Sequence, residues 1–295
     1  MDRSAQTSNN PFGSMICTLM RLVALAVLIS VLAVSPMAQQ TSVDRAAWNR
    51  PFQPFHLIGN IYYVGATGVS AFLIVTPGGS ILLDGGLPET APQIARNIAE
   101  LGFRLSDVKY LLNSHAHFDH AGGLAELKRL SGATMVASAG DAPALRAGGP
   151  AMPAVVVDRI VKDGDILQIG GTTLTANITP GHTKGCTTWT MTATEKGRAQ
   201  RVVFYCSTSV VDRLVGNETY PQIVTDYEQT FRKLRTLPSE VFLAPHPSFF
   251  DLENKRQRMK ADGPNPFIDP TELFHFVEDS ERQFRADLAK QPAQH

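Results

Sequence analysis

Several things are scarce in this sequence, and each scarcity excludes a class. Three cysteines in 295 residues are too few for a disulfide-built scaffold or a cysteine-rich zinc module. Neither sign of charge is in excess, with 27 Lys+Arg against 27 Asp+Glu. Nucleic-acid binders usually carry a concentrated basic surplus, so no nucleic acid is expected as a partner. No apolar run is long enough to cross a bilayer: residues 22–34 (LVALAVLISVLAV) number 13, against the ~20 a spanning helix needs. No low-complexity linker or heptad pattern breaks the chain, and a monomer is expected. What is present is 43% hydrophobic and 18% charged residues, enough to bury a core.

The short apolar run follows Arg21 directly and is stopped by Pro36, with small Ala38 just beyond. That is the build of a secretory signal over residues 1–38, with Met20-Arg21 as a compact start and Gln39 as the mature terminus. The destination is an oxidising compartment, a periplasm, with no membrane contact after cleavage. Cys17 leaves with the signal; Cys186 and Cys206 remain, either as two thiols or as a disulfide. Residues 39–54 are polar and Pro-containing and read as a flexible arm. Residues 55–295 read as one domain.

That domain begins with β-rich runs separated by the hairpin signals Gly59-Asn60 and Gly78-Gly79. Helical spacing of Ile94, Ile98 and Leu101 follows, closed by Gly102. VKYLLN (108–113) is a buried strand, 124–130 a helix and TMVAS (134–138) a strand, while Ala/Pro/Gly-rich 143–157 reads as a loop. A second β half runs from Asp158 onward, then come a helix over 227–237, the strand VFLAP (241–245) and a terminal helix over 271–289. The order predicts an α/β fold of two layered halves.

Three of the eight histidines and one aspartate fall within six consecutive residues: His115-Ala116-His117-Phe118-Asp119-His120. Neutral imidazole and carboxylate are ordinary zinc ligands. The cluster leaves an apolar strand and meets Gly122-Gly123, so it sits on a loop at a strand's C-terminal edge. His115 and His117 would face one way along an extended segment, leaving Asp119 and His120 to turn elsewhere, so one loop can feed two metal positions. A solvated polar loop is the bland alternative, and four ligand types in six residues weigh against it. One loop cannot close two tetrahedra. His182 (Pro180-Gly181-His182-Thr183) and His246 (Ala244-Pro245-His246-Pro247) stand at strand ends and are the distant candidates. His56, His275 and His295 read as edge-strand, helix-surface and tail residues.

The pattern HAHFDH…GHT…PHP resembles the metallo-β-lactamase superfamily, and most closely the third subclass of the class B β-lactamases. Leu83-Asp84-Gly85-Gly86, Ser114–Gly123, Pro180–Trp189, Leu214–Pro221 and Leu243–Pro247 carry the likeness, which spans roughly 50–290. It implies a four-layer αβ/βα sandwich holding two Zn²⁺. His115, His117 and His182 would take the first, and Asp119, His120 and His246 the second. It also implies a metal-activated hydroxide as nucleophile, oriented by Asp119. The substrate would be the β-lactam amide of penicillins, cephalosporins and carbapenems, with antibiotic resistance as the consequence. Ser207 and Ser209 would bind the substrate carboxylate. Asp84 is either a support that fixes a ligand imidazole or a plain turn residue.

The alternative is a hydrolase of the same fold acting on a lactone, thioester or phosphodiester. Many such enzymes place a metal-bridging Asp in the strand that here reads Val203-Phe204-Tyr205-Cys206-Ser207-Thr208-Ser209, which holds no carboxylate. A shift of one residue there would make Cys206 a ligand candidate.

Overall fold

A computed structural model describes residues 45–291, and the compact body runs from Ala47. The expected signal (1–38), the first part of the expected arm (39–44) and His295 lie outside the described residues.

Two sheets form the centre. The first contains β1 (Phe55–Ile58), β2 (Ile61–Tyr63), β3 (Phe72–Thr76), β4 (Gly79–Leu83), β5 (Val108–Leu112), β6 (Thr134–Ser138) and β7 (Arg159–Val161), in chain order. The first four strands pair antiparallel through the two expected hairpins, and β4 to β7 pair parallel. The second sheet runs β12 (Val241–Leu243), β11 (Arg198–Phe204), β10 (Thr187–Glu195), β9 (Thr172–Ile178), β8 (Ile166–Ile169).

Strands buried on both faces explain the near-continuous apolar runs. Side chains alternate across a strand, so Phe72, Ile74, Ile81, Leu83, Leu112 and Val136 face the second sheet's Trp189, Met191 and Phe204. Their neighbours Leu73, Leu82, Leu111 and Met135 face outward onto α1 (Ala91–Glu100) and α3 (Leu124–Ser131), through Ile94, Ile98, Leu124 and Leu127. The second sheet is covered by α5 (Ile223–Leu234) and α6 (Glu272–Lys290), whose Tyr227, Phe231, Leu273 and Phe284 are buried. The result is the four-layer sandwich. No helix among the described residues is long and apolar enough to cross a membrane.

Three expectations need correction. Residues 143–157 are not all loop: α4 (Ala142–Ala147) occupies their start, buries Leu145 and ends at Gly148 with φ 61°. Its Pro143 sits in the first turn, where a missing N–H costs no helical bond, so the proline that suggested a loop is compatible with a helix start. The second β half does not begin at Asp158. Strand β7 adds to the first sheet, with Val136 opposite Arg159, because the α4 segment is the long crossover that parallel pairing requires. The described part of the 39–54 arm is held rather than loose. Gly68 N–H donates to the Trp48 carbonyl at 2.9 Å and Thr67 N–H to the Arg50 carbonyl at 3.1 Å. Phe52 meets the edge of the buried Tyr63 ring at 5.3 Å.

Candidate metal centre

All six predicted ligands leave the same end of the sandwich. Strand β5 ends at Leu112 and delivers His115 and His117; α2 (Phe118–Ala121) then turns Asp119 and His120 inward. His182 lies in the loop between β9 and β10, and His246 follows β12. Two backbone segments fix the first loop. Gly85 N–H donates to the His120 carbonyl at 2.8 Å and Gly123 N–H to the Gly86 carbonyl at 3.1 Å. A Cβ on Gly123 would lie 2.2 Å from the Gly85 oxygen, so this contact between the LDGG and AGG stretches needs glycine.

The six side chains form two triads. The ligand atoms of His115, His117 and His182 lie within 4.8 Å of one another, as do those of Asp119, His120 and His246. His182 Nε2 and His115 Nε2 face each other at 3.2 Å. Asp119 Oδ2 stands 3.1 Å from His120 Nε2 and 3.5 Å from His246 Nε2. Zinc bonds of ~2.0–2.2 Å in a tetrahedron put neighbouring ligand atoms ~3.3–3.6 Å apart; the 3.2, 3.1 and 3.5 Å separations are close to that edge, and the remaining pairs lie within 4.8 Å.

Tautomers support the fit. His182 Nδ1–H donates to the Ser209 carbonyl at 2.7 Å and His246 Nδ1–H to the Gly68 carbonyl at 2.9 Å. Each leaves Nε2 with its lone pair directed into the site, the arrangement that metal-ligating histidines use. His115 Nδ1 meets Ser114 Oγ at 3.0 Å, which lets His115 Nε2 carry a lone pair as well. With Ser114 Oγ accepting from His115 Nδ1–H, both Nε2 lone pairs face each other at 3.2 Å, and a cation between them would remove the repulsion.

The electrostatics favour the same species. Burial, then the neighbouring histidines, lowers His115 well below its usual value, and His182 falls to about 3 for the same reasons. His246 falls to about 4 through burial and His120. Burial pushes Asp119 up, but the charge and hydrogen bond of His120 outweigh it and hold the carboxyl below its usual range. Burial opposes the charge on His120; Asp119 wins and raises it. Neutral His115, His182 and His246 beside an ionised Asp119 are the forms zinc takes without displacing protons, whereas His120 gives up the proton that Asp119 favours.

The other predicted residues are placed as follows. Asp84, buried at φ 63°, makes no hydrogen bond to an imidazole among the described residues, although its charge and that of His120 favour one another. Its Oδ1 accepts from Ser114 N–H at 2.7 Å and from Asn113 Nδ2 at 3.3 Å, and so anchors the loop before His115. Burial pushes its carboxyl up to about 6. Ser207 is buried and its Oγ accepts from Ser209 N–H at 3.2 Å; Ser209 is exposed. Cys186 and Cys206 are joined as a disulfide with their Cα atoms 5.8 Å apart, which removes Cys206 from the ligand candidates.

Sequence reasoning missed the supports. Tyr227 on α5 donates to the Ser209 carbonyl at 2.8 Å, the oxygen that also orients His182. The Trp48 ring lies 5.6 Å from that of His246. Asp141, just before α4, is buried against both metal loops. Backbone carbonyls carry no signature in a sequence, and neither Tyr227 nor Trp48 belongs to a motif.

Paired His/Asp triads at one end of an αβ/βα sandwich define a class. The model of the metallo-beta-lactamase superfamily matches residues 64–246, more than half of the chain, and the chain belongs to that superfamily. Among solved structures it is similar to BJP-1, a subclass B3 metallo-beta-lactamase of Bradyrhizobium japonicum. The two are 45% identical, with 83% of this chain and 96% of that one covered and a TM-score of 0.80. It is also similar to the FEZ-1 metallo-beta-lactamase of Legionella gormanii: 39% identity, 82% and 98% covered, TM-score 0.80. Curated relatives match less of the chain. The hydroxyacylglutathione hydrolase of Rhodopseudomonas palustris is 33% identical over 156 residues, 53% of each chain. The mitochondrial persulfide dioxygenase ETHE1 of Homo sapiens is 28% identical over 168 residues, 56% of this chain and 58% of the relative. The chain thus spans a little over half the length of these two relatives.

Proposed function

We propose that this protein is a dizinc β-lactamase that opens the lactam amide of penicillins, cephalosporins and carbapenems. The carrying observation is the pair of triads, set beside near-full-length similarity to subclass B3 enzymes. His115, His117 and His182 hold one zinc; Asp119, His120 and His246 hold the other. Bound there, zinc supplies Lewis acidity for the lactam carbonyl and lowers the pKa of water towards ~7, so that neutral pH suffices.

The chain's own residues do the positioning. Asp119, ionised and 3.1 Å from His120 Nε2, orients the attacking water with its carboxylate. Ser209, exposed at the site's edge, takes the substrate carboxylate through its hydroxyl, and the buried Ser207 Oγ shapes that turn by accepting from Ser209 N–H. Phe118, 38% exposed within the metal segment, offers an apolar wall. The stretch 203–209 has no carboxylate to bridge two metals, which favours this reading over thioester hydrolysis.

We further assign residues 1–38 to a cleaved signal and the mature chain to the periplasm as a monomer conferring resistance. N-terminal sequencing of the exported protein checks the cleavage after Ala38. The activity itself is tested with nitrocefin and imipenem. Zinc-loaded protein should hydrolyse both, lose turnover on chelation and regain it with zinc. Turnover of a glutathione thioester with neither lactam cleaved would replace this reading by the other.

A further inference from the structure

A single buried carboxylate ties together the two loops that carry the first triad. Asp141 is 3% exposed. Its Oδ2 accepts from Ala116 N–H at 2.9 Å, between His115 and His117, and from Thr183 Oγ1 at 2.9 Å, the residue after His182. Its Oδ1 accepts from Gly185 N–H at 2.9 Å. Among the described residues no Lys or Arg side chain hydrogen-bonds to it, and the donors that meet it are neutral dipoles. The surrounding turn is fitted just as closely. Ser138 Oγ donates to the Gly185 carbonyl at 2.6 Å, and a Cβ on Gly185 would lie 2.1 Å from that Ser138 oxygen and 2.3 Å from Asp141 N. The end of β6 is therefore pressed against the His182 loop with no room for a side chain between them.

We propose that Asp141 is a positioning residue for the first metal: it sets the distance between the His115/His117 loop and the His182 loop, and so governs the affinity of that site alone. The inference rests on the metal-centre reading above. Three donors from two loops converge on one carboxylate group; the same segments also meet where Thr187 N–H donates to the Ser114 carbonyl at 2.8 Å and at the ligand nitrogens. The second triad draws on α2 and the end of β12, which Asp141 does not touch. Partners outside the ligand set typically alter metal affinity 10–100-fold when mutated.

Asp141→Asn is the direct variant. It keeps the volume but turns one acceptor into an N–H donor that faces another donor, whichever way the amide lies. Zinc affinity is read by competition with a chromophoric chelator in two backgrounds of the full chain. His246→Ala removes a ligand from the second triad and reports the first site; His117→Ala reports the second. Asp141→Asn should weaken zinc 10–100-fold in the His246→Ala background and less than about threefold in the His117→Ala background. In the otherwise unaltered chain, lost kcat should return at excess zinc with KM unchanged.

Equal weakening in both backgrounds, or none in either, would overturn the proposal, because a role confined to folding moves both sites together. If Asp141→Asn does not fold, Thr183→Val removes one of the three donors and carries the same test with a smaller, still one-sided, loss. Zinc competition requires no lactam, so an absence of lactam turnover would end the substrate assignment without deciding the role of Asp141.

Discussion

The two triads are built alike in ligand chemistry and differently in their supports. The first is braced from several sides: Asp141 joins its two loops, and the Ser209 carbonyl, itself held by Tyr227, orients His182. The Cys186–Cys206 disulfide ties the start of β10 to the stretch leading to Ser209. The second rests on less. His246 has the Gly68 carbonyl and the Trp48 ring, while His120 Nδ1 is buried with no hydrogen-bond partner among the described residues. The difference predicts a first site formed before metal arrives and a second more easily lost.

The largest effects test whether both triads are metal sites at all. His117→Ala and Asp119→Ala should each cut lactam turnover by more than the ~10²–10³-fold that deleting one preorganised catalytic donor costs, while circular dichroism stays native. Wild-type turnover in either variant would remove its triad from the mechanism. Next in size is the disulfide, which closes a segment with a sequence separation of 20. The chain-entropy account of such a crosslink gives about 3 kcal/mol. Replacing both cysteines by serine should lower the denaturation free energy of the metal-free protein by about that much and weaken zinc at the first site before the second. An unchanged midpoint would show that the bond braces nothing.

The contrast also marks what the sequence made legible. The ligands could be read because four of them crowd into six residues and the other two stand at strand ends, both local signals. The burial of β5 was legible from its short apolar run for the same reason. Asp141 was not, since its partners lie 25, 42 and 44 positions away and an aspartate after a strand is an ordinary residue. Helix α4 was hidden by a Pro that suits a first turn, and the membership of β7 depended on a crossover the local pattern does not encode. For Asp84 the sequence left open an imidazole support or a turn residue, and its oxygen accepts from the N–H of Ser114, the residue before His115. A side chain can be suspected from its type; a backbone partner cannot.

A smaller effect should come from the arm. Gly68 contributes its carbonyl to His246 and its N–H to the Trp48 carbonyl, so the arm and the second triad share one backbone unit. Trp48→Ala should weaken the second zinc by up to about tenfold, the low end for such outer partners, and leave the first unchanged in the same competition assay. A loss shared by both sites would mean that the arm stabilises the fold generally.

The smallest effect is an ordering with pH. In the metal-free protein His115, His117, His182 and His246 all titrate below their usual value, so the unfolded chain binds protons that the fold does not. Their contribution to stability is present above ~6.5 and is lost as pH falls through the folded values. Asp84 and Asp141, pushed up to about 6 by burial, act in the opposite sense: their contribution is present below the ordinary carboxylate value and is lost as pH rises through about 6. The four imidazoles should prevail, and the metal-free protein should lose stability on acidification from 6.5 towards 4. The triads separate within that trend. His246 takes a proton at about 4 and His182 only at about 3, while His120, raised by Asp119, is protonated before either. Zinc content measured across an acid series should therefore fall from two equivalents to one before it falls to none. The remaining ion should belong to the first triad, as shown by which variant background retains it. Simultaneous loss of both ions, or departure of the first site's zinc ahead of the second's, would reverse the ranking that the supports imply.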